Sequence, residues 1–368
     1  MNGVNINKIL NSEVIMNEMM LCAVYDGSAK IQMSKKRLRT LGPGDVIIKV
    51  MACGICGTDL RILKNGHHRL TPGSTKILGH EFSGEVYMVS EGNNWLNIGM
   101  RVTVAPNFGC GYCIDCIQGN TNLCSNCVSF GVVLDGGFAE YVWIPAVAVQ
   151  QGNVIEIPDG LSYAEAAFNE PLSCAYHGYM ACHPLPHDNV LIVGSGPIGL
   201  CHLQLAKFLG ANNVIMTDNH DSRLATAREM GADFALNPST INLKEAVTEI
   251  TKGRGVDIAI IAAASAQAQK QALELCGNHG RVNFFGGLPK DNSIIQLDAN
   301  LVHYKELYIT GTTGQAIHQF RTTLSMMEAG HIKIEKLVTG KFALNQAVEA
   351  IEFANSKQGL KTMIFPSK

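Results

Sequence analysis

Cys110, Cys113, Cys116 and Cys124 lie close together in a Gly- and Asn-rich stretch. Thiolates are soft donors suited to Zn²⁺, and four of them close its tetrahedral shell. A site closed in this way holds a lobe in shape and leaves no position for a reacting molecule; Cys127 is a spare thiol beside it. A second constellation points to different chemistry. Gly54-Ile55-Cys56-Gly57-Thr58-Asp59 precedes Gly79-His80-Glu81 in the chain. Three protein ligands with a fourth position left open make zinc a Lewis acid. Cys56 and His80 supply two ligands, and Glu81 and Glu170 (in Asn169-Glu170-Pro171) are the candidates for the third. The choice between the two carboxylates is open at this level. Asp59 is expected to serve a partner of the metal rather than the metal itself, because a ligating imidazole needs an acceptor on its other nitrogen.

Gly194-Ser195-Gly196-Pro197-Ile198-Gly199 fits G-x-G-x-x-G and sits between the apolar run Val190–Val193 and an apolar-periodic helix from Ile198 to Leu209. The first Gly permits a tight turn, the second lets backbone approach a pyrophosphate, and the third allows close helix–strand packing. The helix then turns the positive end of its dipole toward the phosphates, with Pro197 and Ile198 at its start. Asp218 ends the next apolar run, Val214–Thr217. An acid there accepts hydrogen bonds from the ribose hydroxyls and repels a 2′-phosphate, so NAD is expected over NADP. Arg223 follows closely and keeps NADP open, although a solvated Arg in a first helical turn is its plainer role.

These groups must be carried by a chain of 368 residues, long enough for two domains. The net charge of −2, from 29 basic and 31 acidic residues, argues against a large nucleic-acid or membrane-surface footprint. The most apolar segment, Ile258–Ala264, is far shorter than the roughly 20 residues of a membrane helix. Met1–Met20 is polar and Asn-rich without an apolar stretch, so it reads as an extension rather than a secretory leader. The twelve cysteines are then expected reduced inside the cell, bound to metal or buried as small hydrophobes.

The region from about Leu21 to Val149 is β-rich, with short runs such as Val46–Val50, Gly84–Val89 and Arg101–Val104 bounded by Gly, Pro and Asn. No helical period persists there for long, which suits a barrel-like antiparallel domain. From Asn189 onward apolar strands alternate with helices: Val190–Val193, Val214–Thr217, Val256–Ala262, Arg281–Phe285 and Leu307–Thr310. That alternation is the sequence form of a doubly wound parallel α/β sheet. Gln315–Ala329 and Asn345–Ser356 read as helices of a tail that returns to the first domain.

With Gly54–Asp59, Gly79–Glu81, the four-cysteine lobe, Glu170-Pro171-Leu172-Ser173, Gly194–Gly199 and Thr217-Asp218, the chain resembles the zinc-containing medium-chain alcohol dehydrogenases. Within that family it is most similar to the sorbitol (polyol) dehydrogenase branch. Alcohol dehydrogenases of the family carry Cys at the position of Glu170, and threonine dehydrogenases typically carry Asp-Pro there. The resemblance implies an extension over residues 1–20, a GroES-like catalytic domain over 21–168 and an NAD-binding Rossmann domain over 169–314. Residues 315–368 would return to the catalytic domain. It also implies two zinc ions per chain, a small polyol substrate oxidised with NAD, no nucleic-acid or membrane partner, and a cytoplasmic dimer or tetramer. Thr58 resembles the family's hydroxyl relay, with Glu81 and Glu170 as the carboxylates of the reaction centre. Sugar-alcohol-phosphate, threonine and vicinal-diol dehydrogenases are the alternatives. Two departures bear on substrate. Gly311-Thr312-Thr313-Gly314 stands where animal sorbitol dehydrogenases have an Arg-Tyr pair, and Arg61 stands where many relatives have His or Tyr. Arg61, with Lys64, His67, His68 and Arg69, could meet a phosphate or carboxylate, although a solvated loop is the plainer reading.

Overall fold

The computed structural model describes residues 18–67, 69–70 and 73–367, so the extension up to residue 17 and His68 lie outside the described residues. The chain divides into two units. One gathers the described residues up to Glu170 with Ala316–Glu328 and the residues from Lys333 onward; the other is Pro171–Gln315 with Ala329–Ile332.

In the first unit, β-branched and aromatic runs form a seven-stranded sheet. Its order is Val154–Glu156, Arg101–Val104, Glu81–Val89, Val46–Gly54, Lys361–Phe365 and Val338–Ala343, with Tyr141–Ile144 also on Val46–Gly54. All of these pairings are antiparallel except the last, between Val338–Ala343 and Lys361–Phe365. Val46, Ile48 and Val50 alternate along one strand and point into a core that also holds Phe82, Phe130 and Phe138. Burying side chains of this size is worth about 1.5–3 kcal/mol each. A smaller sheet joins Ile31–Arg37, Met19–Tyr25 and Lys76–Ile77, and a two-stranded ribbon pairs Asn107–Phe108 with Val128–Ser129. The four-cysteine stretch is the loop between the strands of that ribbon.

The second unit has a six-stranded sheet in the order Phe234–Leu236, Asn213–Thr217, Asn189–Val193, Val256–Ile261, Cys276–Asn283 and Tyr308–Thr310, parallel throughout. Strand order reverses at Asn189–Val193 and Val256–Ile261, the switch point at which doubly wound sheets bind ligands. Helices Pro197–Phe208, Asp221–Glu229, Leu243–Ile250, Ala266–Leu275 and Ala299–Lys305 belong to this unit. Val190, Leu191, Ile192, Val214, Ile215, Met216 and Ile258–Ile261, on the inner strands, are buried because parallel strands are covered on both faces, whereas Phe234, Tyr308 and Ile309 on the edge strands are exposed.

Three elements differ from the sequence expectation. Gly57–Asn65 is a helix within the β-rich region. It is too short for a lasting period, and Asp59 starts it by accepting the Cys56 N–H at 2.8 Å. Tyr163–Met180 is one 18-residue helix with Pro171 inside it. An internal proline removes one helical hydrogen bond, and this masks the element in sequence. The strand expected over Arg281–Phe285 instead spans Cys276–Asn283, with an irregular register at Val256/Ile258. No helix of the described residues is long and apolar enough to cross a membrane.

Candidate active site and metal centres

The ribbon Asn107–Phe108/Val128–Ser129 holds both ends of the cysteine loop, and within it the four Sγ atoms of Cys110, Cys113, Cys116 and Cys124 lie within 4.8 Å of one another. Backbone tightens the group: the Cys113 N–H donates to Cys110 Sγ and the Cys110 N–H to Cys124 Sγ, both at 3.4 Å. Gly109 leaves room for it, since a Cβ there would stand 2.3 Å from Cys116 Sγ. Hydrogen bonding from the Tyr112 and Cys113 backbone lowers the Cys110 thiol to about 6, while burial raises Cys116 to about 12. Four sulfurs this close can all ionise only with a cation among them, and a set of four thiols that converge in this way fits zinc. Cys127 is outside the group, its thiol held up chiefly by burial.

The second cluster follows from strand register. Gly54 pairs with Glu81 and Cys53 with Phe82 across Val46–Gly54 and Glu81–Val89. Cys56, two residues beyond the end of the first strand, therefore meets His80, which immediately precedes the second. One ligand atom each from Cys56, His80 and Glu81 lie within 4.8 Å of one another. Asp59 is fully buried and ties the two segments together: Oδ2 accepts the Cys56 N–H at 2.8 Å and Oδ1 the Gly79 N–H at 3.2 Å. Its Oδ1 stands 3.7 Å from His80 Nδ1, a buried nitrogen without a hydrogen-bond partner. Burial opposes a charged His80, but Cys56 and Asp59 outweigh it and hold the imidazole well above its usual value. A thiolate, an imidazole with an orphaned nitrogen and a carboxylate are a donor set that fits zinc.

Glu170 is buried but outside this cluster. Thr58, on the first turn of Gly57–Asn65, accepts a hydrogen bond from Arg61 at 3.2 Å. The residue that sequence reasoning missed is Lys361. It is buried and donates to Glu81 Oε1 at 2.6 Å. Burial alone would lower its pKa, but Glu81, Cys56 and Glu170 reverse that and raise it. Its signal was present as a lone charge at the head of the apolar run Thr362-Met363-Ile364-Phe365.

In the parallel sheet, Gly194 and Gly196 bring the turn from Asn189–Val193 into the helix that starts at Pro197. A Cβ on Gly199 would lie 1.8 Å from the Gly194 carbonyl oxygen, so helix and turn pack too closely for any side chain. Gly196 is the reverse: a Cβ there would meet only an Arg223 nitrogen, at 3.9 Å, which leaves a cradle for an incoming group. The helix N-terminus has no side-chain cap and Pro197 in its first turn, so its N–H groups suit a phosphate. Asp218 holds the loop by accepting the Ser195 N–H at 2.9 Å, and Arg223 stands 3.8 Å from its Oδ2. Ile198, next to Pro197, completes the turn, and the residues fit a dinucleotide.

Residues 42–159 match the alcohol dehydrogenase GroES-like domain, and residues 197–329 match the zinc-binding dehydrogenase model. The sorbitol dehydrogenase of Bacillus subtilis (strain 168) is 33% identical over 95% of this chain and 98% of its own length. The L-threonine 3-dehydrogenase of Pyrococcus abyssi is 35% identical over 82% of this chain and 85% of its own. A structure described as a short chain alcohol dehydrogenase of Escherichia coli CFT073, complexed with NADH, aligns at a TM-score of 0.86 and 31% identity, covering 95% of this chain and 100% of that one.

Proposed function

Because the chain belongs to the zinc-containing medium-chain dehydrogenases and is an oxidoreductase, we propose that it oxidises a secondary alcohol of a sorbitol-like polyol to a ketose and reduces NAD. The observation that carries this reading is the Cys56–His80–Glu81 cluster, a thiol, an imidazole and a carboxylate brought together, with Thr58 two residues after Cys56 in the chain. Cys56, His80 and a carboxylate would hold the catalytic zinc, and Cys110, Cys113, Cys116 and Cys124 the structural one. Zinc supplies Lewis acidity that makes an alcohol hydroxyl more acidic, and NAD accepts the hydride.

The chain's own residues do the rest. Thr58 receives the hydroxyl proton through its Oγ1 and passes it on toward solvent. Asp59 fixes Cys56 and Gly79 through their N–H groups, and so sets where the ligands on either side of it stand. Gly194, Gly196, Pro197, Ile198 and Gly199 cradle the pyrophosphate, and Asp218 reads the ribose hydroxyls, with Arg223 neutralising part of its charge. Glu170-Pro171-Leu172-Ser173 favours a polyol over threonine, whose dehydrogenases typically carry Asp-Pro there. A cytoplasmic homo-oligomer completes the reading.

The test is the initial rate of NAD reduction by zinc-loaded protein with neutral hexitols, L-threonine and a vicinal diol. A clear preference in kcat/KM for a hexitol is expected. Preference for L-threonine or the diol would replace the polyol, and no turnover of any secondary alcohol would overturn the reading.

A further inference from the structure

We propose that Cys124 and Cys127 form an oxidation-sensitive pair, which peroxide joins as a disulfide and so withdraws Cys124 from the zinc lobe. This rests on the reading of Cys110, Cys113, Cys116 and Cys124 as a zinc set, and goes beyond it by giving the fifth thiol a role. The loop uses one spacing three times: Cys110-Gly111-Tyr112-Cys113, Cys113-Ile114-Asp115-Cys116 and Cys124-Ser125-Asn126-Cys127. In the first two, both thiols belong to the converging set, whereas in the third Cys124 belongs to it and Cys127 does not. Cys-x-x-Cys is the spacing of dithiols that cycle between reduced and oxidised forms.

The backbone already holds the pair at bridging distance. The Cys127 N–H donates to the Cys124 carbonyl at 2.9 Å, which closes a turn over Ser125 and Asn126. A turn of this kind brings the Cα atoms of its two ends within about 7 Å, and a disulfide spans about 4.4–6.8 Å between them. The bridge therefore needs side-chain rotation rather than a new path of the chain. Cys127 is fixed from outside the turn as well: the Arg69 guanidinium donates to its carbonyl, and the strand Val128–Ser129 starts at the next residue. Its thiol makes a weak contact with the Val128 carbonyl at 3.8 Å, which costs little to give up. Ser125 and Asn126 are exposed, so a molecule as small as hydrogen peroxide reaches the turn.

The step balances with hydrogen peroxide as the oxidant. The Cys124 thiolate, the Cys127 thiol and peroxide give the disulfide, one water and one hydroxide. The O–O bond and the Cys127 S–H bond break, the S–S bond forms, and the two sulfurs together give up two electrons. The cost falls on the lobe. A closed site needs four ligands, and a disulfide-bonded Cys124 offers no thiolate, which leaves Cys110, Cys113 and Cys116. Cys124 Sγ also receives the Cys110 N–H at 3.4 Å, so its departure loosens the loop where the backbone tightens it. The Cys56–His80–Glu81 cluster contains none of these thiols, so its metal is expected to stay.

The experiment exposes zinc-loaded protein, wild type and Cys127→Ser, to hydrogen peroxide. Released zinc is read with a chromogenic chelator, and disulfides are mapped by mass spectrometry of the alkylated, digested chain. In the wild type, bound zinc is expected to fall from about two to about one per chain as a Cys124–Cys127 bridge appears, and a thiol reductant with added zinc should reverse both changes. Cys127→Ser should release zinc at least about tenfold more slowly. Equal release in the two proteins, a bridge from Cys124 to Cys110, Cys113 or Cys116 instead, or a Cys124–Cys127 bridge without zinc loss would overturn the proposal. So would a wild type in which both thiols stay free. If the lobe binds no zinc before oxidation, the zinc reading fails instead, and the wild-type map decides alone: the Cys124–Cys127 disulfide supports the pair and its absence ends it.

Discussion

Lys361 and Glu81 neutralise each other where water does not reach, with Glu81 fully buried and Lys361 at 5% exposure. Such a pair adds little net stability when intact, but removing one partner strands a buried charge at a cost of about 3–5 kcal/mol. Lys361→Met should therefore lower the melting temperature by about 10 °C, read by calorimetry, since a domain of this size loses roughly 2–4 °C per kcal/mol. An unchanged melting temperature would mean that Glu81 is compensated elsewhere. At the residue scale the ligand candidates were legible because thiol, imidazole and carboxylate chemistry is written in side-chain type. Lys361 stood out only as a charge ahead of an apolar run; its role was not legible, because its partner lies far away in sequence and meets it only when Lys361–Phe365 joins Val46–Gly54 in the sheet. Glu170 shows the converse: its motif suggested a ligand, and the fold leaves it outside the three-residue cluster.

Elements decide whether good ligands converge. The cysteine loop closes because the ribbon Asn107–Phe108/Val128–Ser129 pins its ends and Gly109 has no side chain in the way. With a Cβ 2.3 Å from Cys116 Sγ, Gly109→Ala should force the loop apart and lower bound zinc from about two to about one per chain by metal analysis. Retention of both ions would show that the loop yields without losing its metal. Strongly patterned elements such as Arg101–Val104, Asn213–Thr217 and Pro197–Phe208 were visible in sequence to within a residue or so. Gly57–Asn65 and Tyr163–Met180 were not: the first is short and held by a buried carboxylate, and the second runs through a proline. Both depend on stabilisation from outside the local pattern, which periodicity does not record.

At the scale of the whole molecule, stability should respond to acid through the second unit. His202 is fully buried in Pro197–Phe208, neither ring nitrogen has a hydrogen-bond partner, and its neighbours include the Phe285 and Tyr179 rings. Burial lowers its pKa from 6.5 to about 3. The unfolded chain therefore takes up a proton below pH 6.5 that the folded chain refuses until about 3, so stability falls as pH drops through that window. The loss from this group at pH 5 is about 2 kcal/mol. His202→Leu should remove about that much of the difference in unfolding free energy between pH 8 and pH 5, measured by denaturant titration. Equal losses in the two proteins would exclude His202 as the source.

Residue types and spacing by themselves determined a closed thiolate set, candidates for an open metal site, a dinucleotide turn followed by an acid, and an α/β chain with a β-rich first half. Each of these is local, written within one loop or one strand–turn–helix. Only the tertiary structure decided that Cys56 and His80 meet through the register of two strands, that Glu81 rather than Glu170 joins them, and that Lys361 neutralises Glu81. It also placed Arg61 on Thr58. The physical reason is that sheet register and burial bring together groups far apart in the chain, and no local pattern of residues encodes which distant partner each buried charge will meet.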